Sequence, residues 1–154
     1  MTESTITITR TVAASPDRVF DAWTDVTQLA AWWWPQLAGT TYDVDARQGG
    51  CYRISSPAIG VTVSGVFTEV DRPRRLVLTW RWEDDGEPEA VVEDTVVVTF
   101  EADADGTVVT VAHTSVAHEP EGGAAQGWND VMDRLVRFHD PEGPAGVQST
   151  SSRS

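Results

Sequence analysis

Between Thr41 and Ser115 the chain runs in short alternating apolar and polar stretches divided by turn signals, with nothing of helical period between them. Strands that follow one another without a crossover element pair antiparallel, so this region specifies a meander rather than a doubly wound sheet. Tyr42–Arg47 is one expected strand, and Gln48-Gly49-Gly50 turns it into Cys51–Ser56. Val61–Val70 is closed by Asp71-Arg72-Pro73. In Arg75–Glu83 the residues Leu76, Leu78, Trp80 and Trp82 share one face; in Asp94–Glu101 Val96, Val98 and Phe100 do; in Thr107–Ser115 Val109, Val111 and His113 do.

The flanks supply the rest. Ser4–Ala13 alternates threonine with Ile6, Ile8, Arg10 and Val12, a further strand. Ser15-Pro16-Asp17 opens a helix, with Ser15 as N-cap and Pro16 at the first helical position. Its face is Val19, Phe20 and Trp23, and it ends near Thr24-Asp25. A second short helix carries Leu29, Trp32 and Trp33 and stops at Pro35. Gly123–His139 repeats Trp128, Val131, Met132, Leu135 and Phe138 at three- and four-residue spacing, one apolar stripe. A sheet face this apolar needs cover, and the terminal helix is the obvious one. The expected fold is α+β: a helix-grip, with a curved antiparallel sheet of about six to seven strands wrapped around a long C-terminal helix, and two short helices after strand 1. Residues 1–139 should form a single domain, and residues 140–154, rich in Gly, Pro and Ser, a disordered tail.

Charge removes several functions. The chain has 24 acidic and 11 basic residues, a formal net charge of −13, and every basic residue is Arg. Schiff-base chemistry on a lysine side chain is excluded, and no basic patch invites nucleic acid or an anionic membrane. The lone cysteine, Cys51, has no internal disulfide partner, no leader is visible at Met1–Thr5, and no apolar run is long enough to span a bilayer. The expected location is cytoplasmic. No Cys/His cluster exists, and His113 and His118 do not share a register for a metal. Glu101–Gly106 imitates the start of a calcium loop, but Ala112 stands where the closing Glu belongs, so it reads as a hairpin turn. With no phosphate-cradling loop, nucleophile elbow or dinucleotide fingerprint, neither metal nor cofactor is expected.

The ordered set of motifs resembles a known group. Ala14-Ser15-Pro16-Asp17-Arg18-Val19-Phe20-Asp21-Ala22-Trp23 and Leu29-Ala-Ala-Trp32-Trp33 resemble the opening of START-like (SRPBCC, Bet v 1-like) proteins of the Hsp90-ATPase-activator-like branch. Gly49–Ile54, Gly65–Pro73, Arg75–Trp80 and Gly127-Trp128 extend the resemblance over roughly residues 5 to 139. It implies the helix-grip fold, and with it the superfamily's range of carriers, polyketide cyclases and aromatases. The co-chaperone that names the branch carries a further domain ahead of this one, and none precedes it here, which makes chaperone-ATPase stimulation the weaker implication. Trp34, in Trp32-Trp33-Trp34-Pro35, stands where the family usually has Gly and would narrow the mouth of a pocket.

Seven tryptophans are a heavy apolar payload, and each buried indole N–H needs an acceptor. The expected site is an apolar cavity between sheet and terminal helix, walled by Trp80, Trp82, Phe100, Val111, Trp128 and Met132. Trp32, Trp33 and Trp34 would frame its entrance, and His113 and Tyr52 would orient a ligand. His113 is the best catalytic candidate, against the simpler reading of a core histidine satisfied by a neighbour. Tyr42, Glu69, Asp43 and Asp45 are lesser polar candidates, and Cys51 has no recognisable activating partner. Three functions follow. A carrier of a small hydrophobic molecule predicts a cavity of ligand size. A polyketide-cyclase-like enzyme predicts His113 within hydrogen-bond reach of a carboxylate or tyrosine. A protein-binding module predicts a collapsed interior and an exposed apolar patch. Edge strands leave a homodimer open, and the acidic segment Glu83–Glu93 is a lid candidate.

Overall fold

The computed structural model describes residues 4–84, 93–115 and 122–139. The expected tail, His118 and most of the Glu83–Glu93 segment lie outside them.

Strand β1 (Ser4–Val12) leads into α1 (Pro16–Thr24) and α2 (Val26–Trp32). Six strands follow: β2 (Thr41–Val44), β3 (Cys51–Ser56), β4 (Val61–Asp71), β5 (Arg75–Asp84), β6 (Glu93–Asp103) and β7 (Gly106–Ser115). The chain then closes with α3 (Gly122–His139). All seven strands form one antiparallel sheet in the order β1-β7-β6-β5-β4-β3-β2. It is a pure meander from β2 to β7, with β1 returned beside β7 as a second edge.

Local chemistry sets the helix ends. The Ser15 hydroxyl accepts from the Arg18 N–H at 3.4 Å, and Pro16 and Asp17 occupy the first turn of α1. Asp25 ends α1 and starts α2, its carboxylate accepting from the Thr27 N–H at 2.9 Å. Because one residue serves both ends, the two helices meet without a loop. The second helix stops at Trp32 with Trp33 as its C-cap, ahead of Pro35 rather than at it.

Period-2 alternation divides the sheet into two unlike faces. On the concave face Val96, Val98, Phe100, Val109 and Val111 are buried, and α1 packs there through Val19, Phe20, Ala22 and Trp23. The third helix adds Trp128, Val131, Met132 and Leu135. Phe138, expected on that stripe, is 36% exposed; it lies in the last turn of the helix, three residues beyond Leu135. The convex face is wet and rich in threonine: Thr9 pairs Thr110, which pairs Thr99, and Thr5 pairs Thr114, which pairs Thr95.

The sheet has one irregular place. Register between β4 and β5 shifts between Phe67 and Glu69, and just before it Gly65 lies so close to Thr79 that a Cβ would collide with the Thr79 carbonyl oxygen. Tyr52 pairs with Gly65 across β3–β4, and its hydroxyl donates to that same carbonyl at 2.7 Å. The Thr79 hydroxyl in turn accepts from the Val66 N–H at 2.9 Å. Side chains thus satisfy backbone groups where the ladder is interrupted.

Candidate functional site

The site is a gap in the core beneath one half of the sheet. Its floor is Ile54 of β3, Phe67 of β4 and Leu76, Leu78 and Trp80 of β5, with Tyr52 and Val44 at the β2 side. Its roof is Trp23, Leu29 and Trp33 from the α1–α2 segment and Trp128 from α3. The wall is almost wholly apolar. The cavity holds about 40 Å³, room for a few waters at most and well short of the ~300 Å³ at which ligand pockets begin. The ligand-sized space expected from the sequence is therefore absent among the described residues; the indoles fill most of it.

Ring contacts tie all seven tryptophans into one network. Trp23 meets Trp32 at 5.0 Å, Trp33 at 6.3 Å and Trp128 at 6.5 Å between centroids. Trp33 meets Trp32 at 5.6 Å, Trp34 at 6.1 Å, Trp80 at 6.1 Å and Trp128 at 5.6 Å. Trp80 meets Trp128 at 5.1 Å, and Trp34 meets Trp82 at 6.2 Å. Trp33 is the hub. Two of these indoles, Trp23 and Trp33, keep a buried N–H with no hydrogen-bond acceptor among the described residues, each costing about 1–3 kcal/mol. Both belong to the cavity roof.

The expected site residues divide on this geometry. Trp33, Tyr52, Trp80 and Trp128 are on the cavity wall. Trp32 is not at an entrance: it is 1% exposed and its indole donates to the Ala22 carbonyl at 2.9 Å, pinning α2 to α1. Trp34 is buried against Trp82, which lies on the concave side as expected but is 43% exposed. Phe100 packs edge-on against Phe20 at 5.3 Å, and Val111 and Met132 are wholly buried on the same face but do not line the cavity. Tyr52 offers a ring rather than a hydroxyl, since its O–H is given to Thr79; burial pushes its ionisation far above the ordinary tyrosine range.

His113 sits behind the wall in a buried chain. Its Nε2 is 2.8 Å from Asp94 Oδ2, and its Nδ1 accepts from the Trp128 indole N–H at 2.9 Å. An indole N–H only donates, so Nδ1 must be the bare nitrogen and Nε2 must carry the proton given to Asp94. The tautomer is fixed by its neighbours. Both ring nitrogens are spoken for, so the carboxylate partner that an enzyme reading asked for is present while a free nitrogen to act on a substrate is not. Asp94 was not foreseen as a site residue. It could have been: in the run Asp94, Val96, Val98, Phe100 it has the parity of the core face.

A second unforeseen residue is Arg134 of α3. Its Nε donates to the Trp32 carbonyl at 3.0 Å, and its Nη2 donates to the Trp33 carbonyl at 2.6 Å. It caps the C-terminal carbonyls of α2 and ties roof to helix. The Tyr42 hydroxyl accepts from the Trp34 N–H at 3.1 Å, holding the next residue. Of the other polar candidates, Glu69 pairs with Arg75 and Asp45 with Arg47, both exposed, and Asp43 and Cys51 are exposed. Among the described residues no cluster of metal-ligating side chains occurs, and no helix is long and apolar enough to cross a membrane.

Comparison with known proteins agrees with the fold. The family model for Activator of Hsp90 ATPase homolog 1-like protein matches residues 13–140. Protein CV1439 from Chromobacterium violaceum is similar in structure, with TM-score 0.76, 22% identity, and 90% of this chain aligned to 99% of that one. CalU16 from Micromonospora echinospora shows TM-score 0.64 and 26% identity over 90% of this chain and 77% of its own. DynU16, from the dynemicin biosynthetic locus, shows TM-score 0.69 and 22% identity over 93% of this chain and 49% of its own. At these identities CV1439 and DynU16 speak for the fold alone. No curated protein matches the chain.

Proposed function

The chain belongs to the Activator of Hsp90 ATPase homolog 1-like family, whose fold generally takes hydrophobic ligands, and on that premise we propose that it binds a small, flat apolar molecule by wedging it between the indoles of the roof and the sheet. The observation that carries this reading is the pair of acceptorless N–H groups on Trp23 and Trp33, both in the roof of an apolar gap. A finished core pairs its buried donors; two left open in the roof of a void mark a place that a guest offering an acceptor, an aromatic π-face included, would complete. The gap is too small for that guest as it stands, so binding requires the α2 end to lift.

Calorimetric titration with 1-methylnaphthalene tests the reading. Saturable one-to-one binding with a negative heat-capacity change is expected, and it should be lost in Leu78→Phe, which fills the gap. Absence of saturable heat in the natural chain would reject it. The near-filled interior gives some weight to a protein-binding module instead. Against that, the exposed large apolar residues Val26, Ile59, Val66, Trp82 and Phe138 sit on different elements.

A further inference from the structure

One end of the concave face carries buried polar atoms that the apolar gap does not use. Asp94 is 8% exposed; its Oδ2 is taken by His113, but its Oδ1 is buried with no hydrogen-bond partner among the described residues. Ser115 is wholly buried, and its Oγ is likewise unpartnered. The two are neighbours: Thr95 pairs with Thr114 across β6–β7, so Asp94 and Ser115 are the next residues along each strand, both on the buried side. On its other flank Asp94 pairs with Trp80, a wall of the gap.

His113 does not relieve this carboxylate. With Nδ1 held bare by Trp128, the ring in this arrangement is neutral and has one proton to give, already given to Oδ2. Among the described residues no arginine reaches Asp94. A carboxylate oxygen and a hydroxyl on neighbouring strands, out of water and with no donor among the described residues, call for a hydrogen-bond donor to complete them. The gap lies beneath β5, and its wall residue Trp80 pairs directly with Asp94 on β6, the neighbouring strand ~4.8 Å from β5.

We propose that Asp94 Oδ1 and Ser115 Oγ form a head-group subsite for a hydrogen-bond donor, best matched by a protonated amine, carried on the flat apolar body that lies against Trp80. This rests on the ligand-binding reading above and names the chemistry of its guest. The amine donates to the open carboxylate oxygen and the serine hydroxyl and neutralises the buried charge. His113 is a positioning residue here, fixing Asp94 so that Oδ1 faces the guest.

The test compares two probes of one shape, 1-naphthylmethylamine and 1-methylnaphthalene, by calorimetry at physiological salt. Charge-assisted hydrogen bonds predict that the amine binds at least tenfold tighter. Asp94→Asn keeps the shape and the bond from His113 while presenting an amide donor to the guest. It should reduce the amine's advantage to within about threefold and leave 1-methylnaphthalene unchanged. It removes one of 24 acidic side chains, so a general attraction of cations to an acidic protein would survive it. Ser115→Ala, a smaller change, should cost the amine alone about threefold to fivefold. Retention of the Trp128 indole N–H resonance in each variant shows that the fold is intact. Equal binding of the two probes, or an amine advantage that persists in both variants, overturns the subsite and leaves the apolar reading standing. Binding of neither probe overturns both.

Discussion

The two halves of the sheet obey the same alternation and end differently. Beneath β1, β7 and β6 the register is unbroken and the interior is filled as far as the polar end at Asp94 and Ser115, with Val96, Val98, Val109 and Val111 wholly buried, α1 packed over β6 and β7, and α3 over β1. Beneath β5, β4, β3 and β2 the ladder is interrupted at Gly65–Val66, the cover is the short α2 with its Trp33 cap, and the gap lies there. No residue of β1, β6 or β7 lines it. A grip of this kind is therefore asymmetric: one half holds the fold together, and the other is left incomplete around a removable roof.

Truncation should expose that asymmetry most strongly. Phe100→Ala, in the filled half, should cost about 3–5 kcal/mol in chemical denaturation, because the ring is packed on all sides. Phe67→Ala should cost at least ~1 kcal/mol less, since Phe67 already faces the gap and has fewer contacts to lose. Equal costs would mean that the two halves are equally well packed.

Loosening the roof comes next. Arg134→Met keeps the aliphatic stem but leaves the carbonyls of Trp32 and Trp33 without their guanidinium, which should cost about 1.5–3 kcal/mol. Amide exchange should rise first in α2 and remain slow in β6 and β7. Uniform acceleration would contradict a separable roof.

Overfilling tests the same contrast from the other side. Leu78→Phe grows into the gap and should change stability by less than ~1 kcal/mol, whereas Val98→Phe has nowhere to go and should cost about 1–3 kcal/mol.

The smallest effect concerns acid. His139, half-buried at the end of α3 and with no partner for its Nε2 among the described residues, has its pKa lowered to about 4 by desolvation, with Arg18 adding repulsion. The unfolded chain takes up this proton at about 6.5 and the folded chain resists until about 4. Stability contributed here is complete above pH 6.5 and is lost as pH falls through that window. With the group half in water, the loss should be no more than ~1 kcal/mol, and His139→Gln should flatten the melting temperature over the same range.

The alternation of Leu76, Leu78 and Trp80, or of Val109, Val111 and His113, tells which residues face inward, and the spacing of Trp128, Val131, Met132 and Leu135 tells which helix face meets them. That is why strand order and cover were legible. It does not tell where along the sheet the helix lies. Phe100, Val111 and Met132 have the pattern expected of a wall, yet they fall in the half that does not line the gap. Ile54, Leu76 and Leu78 have the same parity and do line it. Arg134 was invisible for another reason: its partners are backbone carbonyls a hundred residues away, and no spacing in the chain encodes them.

The indole network has a consequence for light. At centroid separations of 5.0 to 6.5 Å, an excited indole hands its energy to a neighbour long before it emits, so seven chromophores behave as one antenna. Excitation should drain to the lowest-energy ring, and among the described residues Trp82, the most water-exposed member, joins the rest through Trp34. Emission should therefore be strongly depolarised and carry the colour of a single outer residue. A guest sliding against Trp33, the hub, would cut the antenna at its busiest junction and be visible from every part of it.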